Sequence, residues 1–394
     1  MLHVLIGAGC NNNCLFCMEA DRRRRAARWS GQSPADVRAM IASYEGRDEI
    51  LFTSGEPTLD PDLLAYVSFA KERGYRTIGL ITNGRRLAYA DYVKRLVDSG
   101  ITRVTVSIHG HQPNLHDGLT RCPGSFGQTL AGLDQLVRVQ RSHGIQIHTS
   151  TVITQRTLPY LRDIFRLLTA RGVDLVVYNV MMAKGRGAVH AARLMPRYGE
   201  VVRRVGALCA RVDRAHLRRL RVEDLPPCFG RLLPAIVRGD PEEYEQFEES
   251  GSTGLPELEV VSEASTAQPL ARHADDEQAP PLSAHHLPGN FAPGASPSPR
   301  CSSSRIAALD HSSSEGRLVA SVRERVARVD LQAKGDYYLT QRSDKDSWLR
   351  VKGESCTRCA LANRCAGVWE PYVSLYGWGD FTPVTGDEAR DSRN

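Results

Sequence analysis

Arg76-Thr77-Ile78-Gly79-Leu80-Ile81-Thr82, followed by Thr102-Arg103-Val104-Thr105-Val106-Ser107-Ile108, carries the pattern that decides the fold. Both runs are short, apolar and rich in β-branched residues, as buried parallel strands are. The helix expected between them, near 89–98, stops at Gly100, where glycine can take the left-handed conformation that closes a helix. Strand, loop, helix and strand make one parallel βα unit, and the unit recurs on both sides. Strands are expected at 3–8, 49–53, 76–82, 102–108, 146–153 and 174–181. One helix begins at Ser33, with Pro34 in its first position and Asp36 near its amino end; another begins after Asp60 with Pro61. Helices near 126–142 and 158–170 end at Gly144 and Gly172. Right-handed crossovers curl such a sheet. Six units fall short of a closed eight-stranded barrel, so residues 1–215 are expected to form an α/β fold, a partial (β/α)6 TIM-like barrel. Its site belongs in the loops at the carboxyl ends of the strands.

The 394 residues allow one large domain and a smaller one. Hydrophobic residues are 41% and charged residues 24%, and no apolar run is long enough to span a membrane. Met1 to Gly7 lacks a basic leader and is too short for a secretory signal, so a cytoplasmic protein is expected. The net charge of +6 reflects short arginine runs, Arg22 to Arg25 and Arg218-Arg219, which read as solvated faces rather than as a nucleic-acid footprint. Beyond the barrel, residues 216–249 form a connector carrying Cys228. Residues 250–316 are dominated by Ser, Pro, Ala, Gly and His, the composition of a disordered insertion, with a partner-docking arm as the functional alternative. A small compact domain is expected at 317–394, where aromatic residues return at Tyr337, Tyr338, Trp348, Trp369 and Trp378.

Ten cysteines in a chain expected to be cytoplasmic argue for metal or catalysis rather than disulfides. Cys10, Cys14 and Cys17 follow the first strand with C-x3-C-x2-C spacing. Three thiolates on a four-iron cubane leave one iron open to an outside ligand, whereas structural zinc would want a fourth protein ligand in the loop, and none is present. The spacing, with Phe16 before the third cysteine, resembles the signature loop of the radical S-adenosylmethionine (SAM) superfamily. The next βα loop, Thr53-Ser54-Gly55-Glu56-Pro57, is similar to that superfamily's GGEP element, with Ser54 in place of the first glycine. The resemblance implies a SAM-binding [4Fe-4S] cluster on the three cysteines and a contact of this loop, Glu56 included, with the amino group of SAM. The plain alternative is a turn before a helix cap.

Thr82-Asn83-Gly84 stands where the superfamily often has a TNG turn. Ser107 and His109 end the fourth strand and can bond the ribose or carboxylate of SAM or simply anchor their loop. Ser150 and Asn179, on strands five and six, are further candidates, with Thr151 beside them; such groups can equally satisfy the backbone. His116-Asp117 with Thr120 and Gly124-Ser125-Phe126 resembles the HD-x-x-T…GSF stretch of many radical SAM proteins, and a hydrogen-bonded His116–Asp117 pair that fixes the loop is preferred to acid–base work. Cys122 reads as an inert thiol.

A second group, Cys356, Cys359 and Cys365, has C-x2-C-x5-C spacing and resembles the auxiliary-cluster region of SPASM and twitch domains. The cysteine count suits one auxiliary [4Fe-4S] cluster. Cys228, presented by the rigid Pro226-Pro227 turn, is chosen as fourth ligand over Cys209 on an apolar helical pattern and Cys301 in the low-complexity stretch. Structural zinc is the competing reading of this group.

The resemblance implies reductive cleavage of SAM to a 5′-deoxyadenosyl radical that abstracts hydrogen from the substrate, with an electron donor such as flavodoxin or ferredoxin as partner. Maturation of a ribosomally synthesised peptide is the first reading, with a separate leader-peptide recognition protein as partner because the barrel starts almost at Met1. The alternatives are a dehydrogenase or dehydratase acting on a sugar, nucleoside or cofactor precursor, and a non-enzymatic iron–sulfur electron-transfer protein. Radical methylation would need a cobalamin domain, methyl-carrying cysteines or a TRAM-like tail, none of which is recognised.

Overall fold

A computed structural model describes residues 1–6, 9–18, 33–238, 350–363 and 365–386. The expected 250–316 insertion, Cys301, Arg22 to Arg25, Tyr337, Tyr338 and Trp348 lie outside the described residues.

Seven strands form one sheet in sequence order: β1 Leu2–Leu5, β2 Glu49–Thr53, β3 Thr77–Thr82, β4 Arg103–Ser107, β5 Gln146–Ile153, β6 Leu175–Val180 and β7 Leu220–Glu223. Every neighbouring pair is parallel. The parallel α/β architecture is the expected one, with one strand more than the six read from sequence. The seventh lies beyond residue 215, inside the expected connector. Only Leu220 and Val222 of its four residues are apolar, and Arg218-Arg219 precede it, too weak a pattern to betray a strand. Its register against β6, Asn179 opposite Glu223, adds a polar position to the sheet's carboxyl end.

The covering helices are α1 Pro34–Ser43, α2 Leu63–Glu72, α3 Ala90–Asp98, α4 Pro113–Thr120, α5 Ser125–His143, α6 Leu161–Thr169 and α7 Tyr198–Cys209. Helix α1 starts as expected. The Ser33 side chain accepts from the Asp36 N–H while the Asp36 carboxylate accepts from the Ser33 N–H at 2.8 Å, a reciprocal capping box. The start of α2 differs. Asp60 accepts from the Asp62 N–H at 2.8 Å in a tight turn, so the helix begins at Leu63, preceded by a single 3₁₀ turn at Pro57–Leu59. Leu80, Val104, Val106, Ile147, Val176 and Tyr178 point outward from the sheet into the helix layer and are fully buried. The alternate residues, among them Thr105, Ser107, Ser150 and Asn179, are half-buried and face the hollow of the half-barrel. Near its floor Arg103 pairs with Glu49 at 2.6 Å.

In the tail, β8 Arg350–Val351 and β9 Val368–Trp369 pair antiparallel, and α8 Glu370–Tyr376 follows. Tyr372 of α8 stacks on Tyr198 of α7 with centroids 3.9 Å apart and planes 3° from parallel, and its hydroxyl accepts from the Tyr198 N–H at 3.1 Å. Phe381 packs edge-on against Tyr372 and Phe229, and Phe229 lies tilted against Tyr198, so tail and barrel share an aromatic core. Among the described residues no helix is long and apolar enough to cross a membrane.

Candidate iron–sulfur and SAM site

The three cysteines of the first loop are free and half-buried, and the chain holds that loop from three sides. Asn13 N–H donates to the Thr120 carbonyl at 2.8 Å and Leu15 N–H to Leu119 at 2.9 Å, which pins the loop to the last turn of α4. Beyond β3, Arg85 donates to the Asn11 carbonyl and, at 3.1 Å, to the Asn12 side chain, while Asn83 donates to Asn11 Oδ1 at 2.5 Å. Beyond β6, Arg186 donates to the Cys14 carbonyl at 3.0 Å and to the Asn13 side chain, and Gly187 N–H reaches the Cys17 carbonyl at 3.1 Å. Glycine is needed there: a Cβ would lie 2.9 Å from the Met182 oxygen and 3.1 Å from that of Phe16.

Burial holds the Cys14 thiol well above its ordinary pKa; neighbouring Cys17 and Cys10 push it further, and Arg186 opposes them. Thiols that burial and mutual repulsion keep protonated become good ligands once a cationic cluster takes the protons' place. Among the described residues no three His, Cys, Asp or Glu side chains close on a point as the ligands of a single ion do. A cubane asks less, because its irons occupy separate corners of one shared space. The donor set therefore suits a cluster with an open iron.

The following loop brings Ser54 and Gly55 into positive φ, 77° and 53°. Gly55 does so freely; Ser54 pays a Cβ penalty of about 1 kcal/mol for following the path of a glycine. Pro57 is buried and opens the 3₁₀ turn. Glu56 is 1% exposed. Its Oε1 accepts from the Thr58 N–H at 3.1 Å, the Thr58 hydroxyl at 2.6 Å and the Thr82 hydroxyl at 2.5 Å, and its Oε2 from the Asn83 N–H at 2.7 Å. Burial raises the carboxyl pKa while these four donors lower it. These bonds tie the carboxylate, which is expected to meet the SAM amino group, to the loops after β2 and β3. Oε1 is engaged three times, whereas Oε2 accepts one bond. Asn83, buried, is turned toward the cysteine loop, with Nδ2 4.0 Å from the Cys10 sulfur.

His109 is buried behind Phe16, the rings edge to face with centroids 4.5 Å apart. Its Nδ1 accepts from the Val152 N–H at 3.2 Å, which anchors the loop, and burial, with His116 nearby, pulls its pKa well down. The expected His116–Asp117 pair does not form. His116 Nδ1 accepts from the His109 N–H at 3.0 Å, whereas Asp117 caps α5, accepting from Gly124 N–H at 2.7 Å, Phe126 N–H at 2.7 Å and the Ser125 hydroxyl at 2.9 Å. Both residues fix the loop, but separately, because one turn of α4 aims them at different neighbours. Cys122, expected as an inert thiol, is buried close to Arg85 and is disulfide-bonded rather than free.

Ser107 lies opposite Ser150 in the sheet register, and Ser150 Oγ donates to Asn179 at 3.5 Å. Asn179 in turn donates to Glu223 at 3.5 Å. A polar row thus crosses β4 to β7 at the mouth of the half-barrel. Its Glu223 end, and the two loop-holding arginines, were not read from sequence. Arg85 directly follows the Thr82-Asn83-Gly84 turn and Arg186 lies in the loop after β6; searching the loops past the strand ends for cations would have found both.

In the tail the structure brings the four proposed ligands together. Cys228, Cys356, Cys359 and Cys365 line one cavity enclosing about 450 Å³ of space out to its open mouth. Backbone N–H groups of Gly367 and Val384 approach the sulfurs of Cys365 and Cys359 at 3.3 and 3.4 Å. Burial, aided by the other three sulfurs, raises the Cys228 thiol to about 12. Cys209, at the end of α7, does not line this cavity.

The model of the Radical SAM superfamily matches residues 4–168. The chain is 29% identical over 198 residues to the AdoMet-dependent heme synthase of Oleidesulfovibrio alaskensis, covering 49% of each chain. It is 31% identical over 186 residues to that of Methanosarcina barkeri, covering 46% of this chain and 50% of the other. It thus spans about half the length of the curated relatives it matches. Among solved structures, native anSMEcpe with bound AdoMet is 16% identical over 53% of this chain and 60% of that one, with a TM-score of 0.40. The residues that match this superfamily begin on β1 and take in the cysteine loop, the Glu56 turn and the carboxyl ends of β3 to β5.

Proposed function

We propose that the chain is a radical SAM enzyme that abstracts a hydrogen atom from its substrate, with a catalytic [4Fe-4S] cluster on Cys10, Cys14 and Cys17 and an auxiliary cluster on Cys228, Cys356, Cys359 and Cys365. The observation that carries this reading is the three-sided hold on a loop of three half-buried thiols facing the mouth of a parallel half-barrel. When bound, the cluster and SAM supply one-electron cleavage of SAM and with it a hydrogen-abstracting radical. The chain's own work is positioning. The Ser54–Gly55 turn offers carbonyls to an ammonium group, Glu56 keeps that turn in place, and the Ser107–Ser150–Asn179 row offers hydroxyl and amide groups to ribose or carboxylate oxygens. Phe16 and the neutral His109 close the apolar side of the space and exclude water. Four thiolates leave the auxiliary cluster without an open iron, which suits electron transfer or a structural role.

The substrate reading is a ribosomally made peptide. Among the described residues β1 and β7 stand at opposite ends of an open sheet, which suits an extended chain lying across its mouth. The names of the curated relatives favour a second reading, a small molecule. A low-potential donor such as flavodoxin or ferredoxin supplies the electron, and a separate protein can present the leader of the peptide.

The test is anaerobic reconstitution with a reductant and SAM. The wild-type chain is expected to release 5′-deoxyadenosine, and the Cys10→Ala, Cys14→Ala, Cys17→Ala variant none; release by the variant overturns the assignment. A deuterated peptide encoded beside the gene should pass its label to 5′-deoxyadenosine. Label arriving only from a small molecule selects the second reading.

A further inference from the structure

Arg186 lies in the loop after β6, far in sequence from the cysteines, yet it touches their loop directly. Its Nη1 donates to the Cys14 carbonyl at 3.0 Å and to the Asn13 side chain. Its neighbour Gly187 donates to the Cys17 carbonyl at 3.1 Å, so the guanidinium is held in place by a second bond of the same segment. Arg186 is half-buried and, among the described residues, forms no ion pair with a carboxylate. Opposite, Arg85 holds Asn11 and Asn12 by the same kind of bond, but from the side of β3.

Resting on the radical SAM reading above, we infer that Arg186 is a positioning residue that sets the reduction potential of the cluster on Cys10, Cys14 and Cys17. Adding one electron makes the cluster and its thiolates more negative. A fixed cation bonded to the ligand loop stabilises that reduced form more than the oxidised form, and in a half-buried site the difference is weakly screened. The guanidinium also fixes the loop carbonyl by hydrogen bonding, so charge and geometry can be separated by substitution. Lysine keeps the charge and loses the planar fork, while methionine keeps much of the length and loses the charge.

The experiment is an anaerobic redox titration of the full-length reconstituted chain, followed by electron paramagnetic resonance and read on the signal that SAM perturbs, which separates the barrel cluster from any tail cluster. Iron content is measured alongside. Arg186→Met is expected to lower the reduced-to-oxidised ratio at a fixed potential about tenfold, a shift of about 59 mV for one electron. Arg186→Lys should stay close to wild type. A full-iron Arg186→Met with an unchanged midpoint overturns the inference. If that variant loads no iron, Arg186→Lys decides: a midpoint near wild type supports the role of charge, and a drop as large as tenfold overturns it. A wild-type chain with no SAM-perturbed signal would defeat the radical SAM reading itself, an outcome distinct from an unshifted variant.

Discussion

Glu56 accepts the backbone N–H of Asn83 at 2.7 Å, so a buried carboxylate joins the loop after the second strand to the loop after the third. The same side chain gathers Thr58 and Thr82, and Asn83 passes the connection on to Asn11 of the cysteine loop. Three successive βα loops thus form one hydrogen-bonded unit, and disturbing any of them should be felt at the cysteines.

Gly132 of α5 offers a way to disturb that unit without touching it. A Cβ on this glycine would run into the Gly84 carbonyl, and Gly84 itself holds φ 76° directly after Asn83. The obstacle is backbone, so it cannot swing aside. Gly132→Ala gains about 1 kcal/mol of helix propensity but loses more to overpacking. The expected net cost is about 1–2 kcal/mol in chemical denaturation, with weaker SAM binding; an equally stable variant would show the helix to be free to move.

Acid should weaken the fold through the two histidines behind the site. Burial holds His116 at about 4 against an ordinary 6.5, and the neutral ring accepts from the His109 N–H. The unfolded chain takes up a proton near pH 6.5 while the folded one does not until about pH 4. The contribution is therefore full above 6.5 and is lost as pH falls across that window, about 3 kcal/mol in all. His109 adds to the same slope. Denaturation midpoints measured between pH 7 and 4 should fall, and His116→Gln should remove about one proton from the slope.

Iron stoichiometry tests the tail. The reconstituted chain should hold about eight irons, in two four-iron clusters. Cys228→Ala should lose iron or change the spectrum of the tail cluster, whereas Cys209→Ala should change neither, because its thiol does not line the cavity. About four irons with one zinc would assign the tail to structural zinc.

The strands were legible because burial against helices imposes runs of Val, Ile and Thr, and the helix ends because Gly100, Gly144 and Gly172 adopt the left-handed conformation. The two cysteine groups stood out by their spacing. Where side chains point was not. Nothing local says that Asp117 turns to the amino end of α5 rather than to His116, or that Glu56 finds four donors of its own chain. Those outcomes depend on how neighbouring loops meet in three dimensions. Strand β7 was hidden for the opposite reason: it is short and half polar, and only pairing with β6 makes it a strand.

The Tyr198–Tyr372 stack joins residues 174 positions apart. Closing a loop of that length costs about 4–5 kcal/mol of chain entropy, and at ordinary synthesis rates the second tyrosine emerges about 9–35 s after the first. A nascent barrel therefore spends that interval with the aromatic face of α7 uncovered. Chaperone capture during translation should concentrate on this face, and expression yield should respond to elongation speed between the two tyrosines.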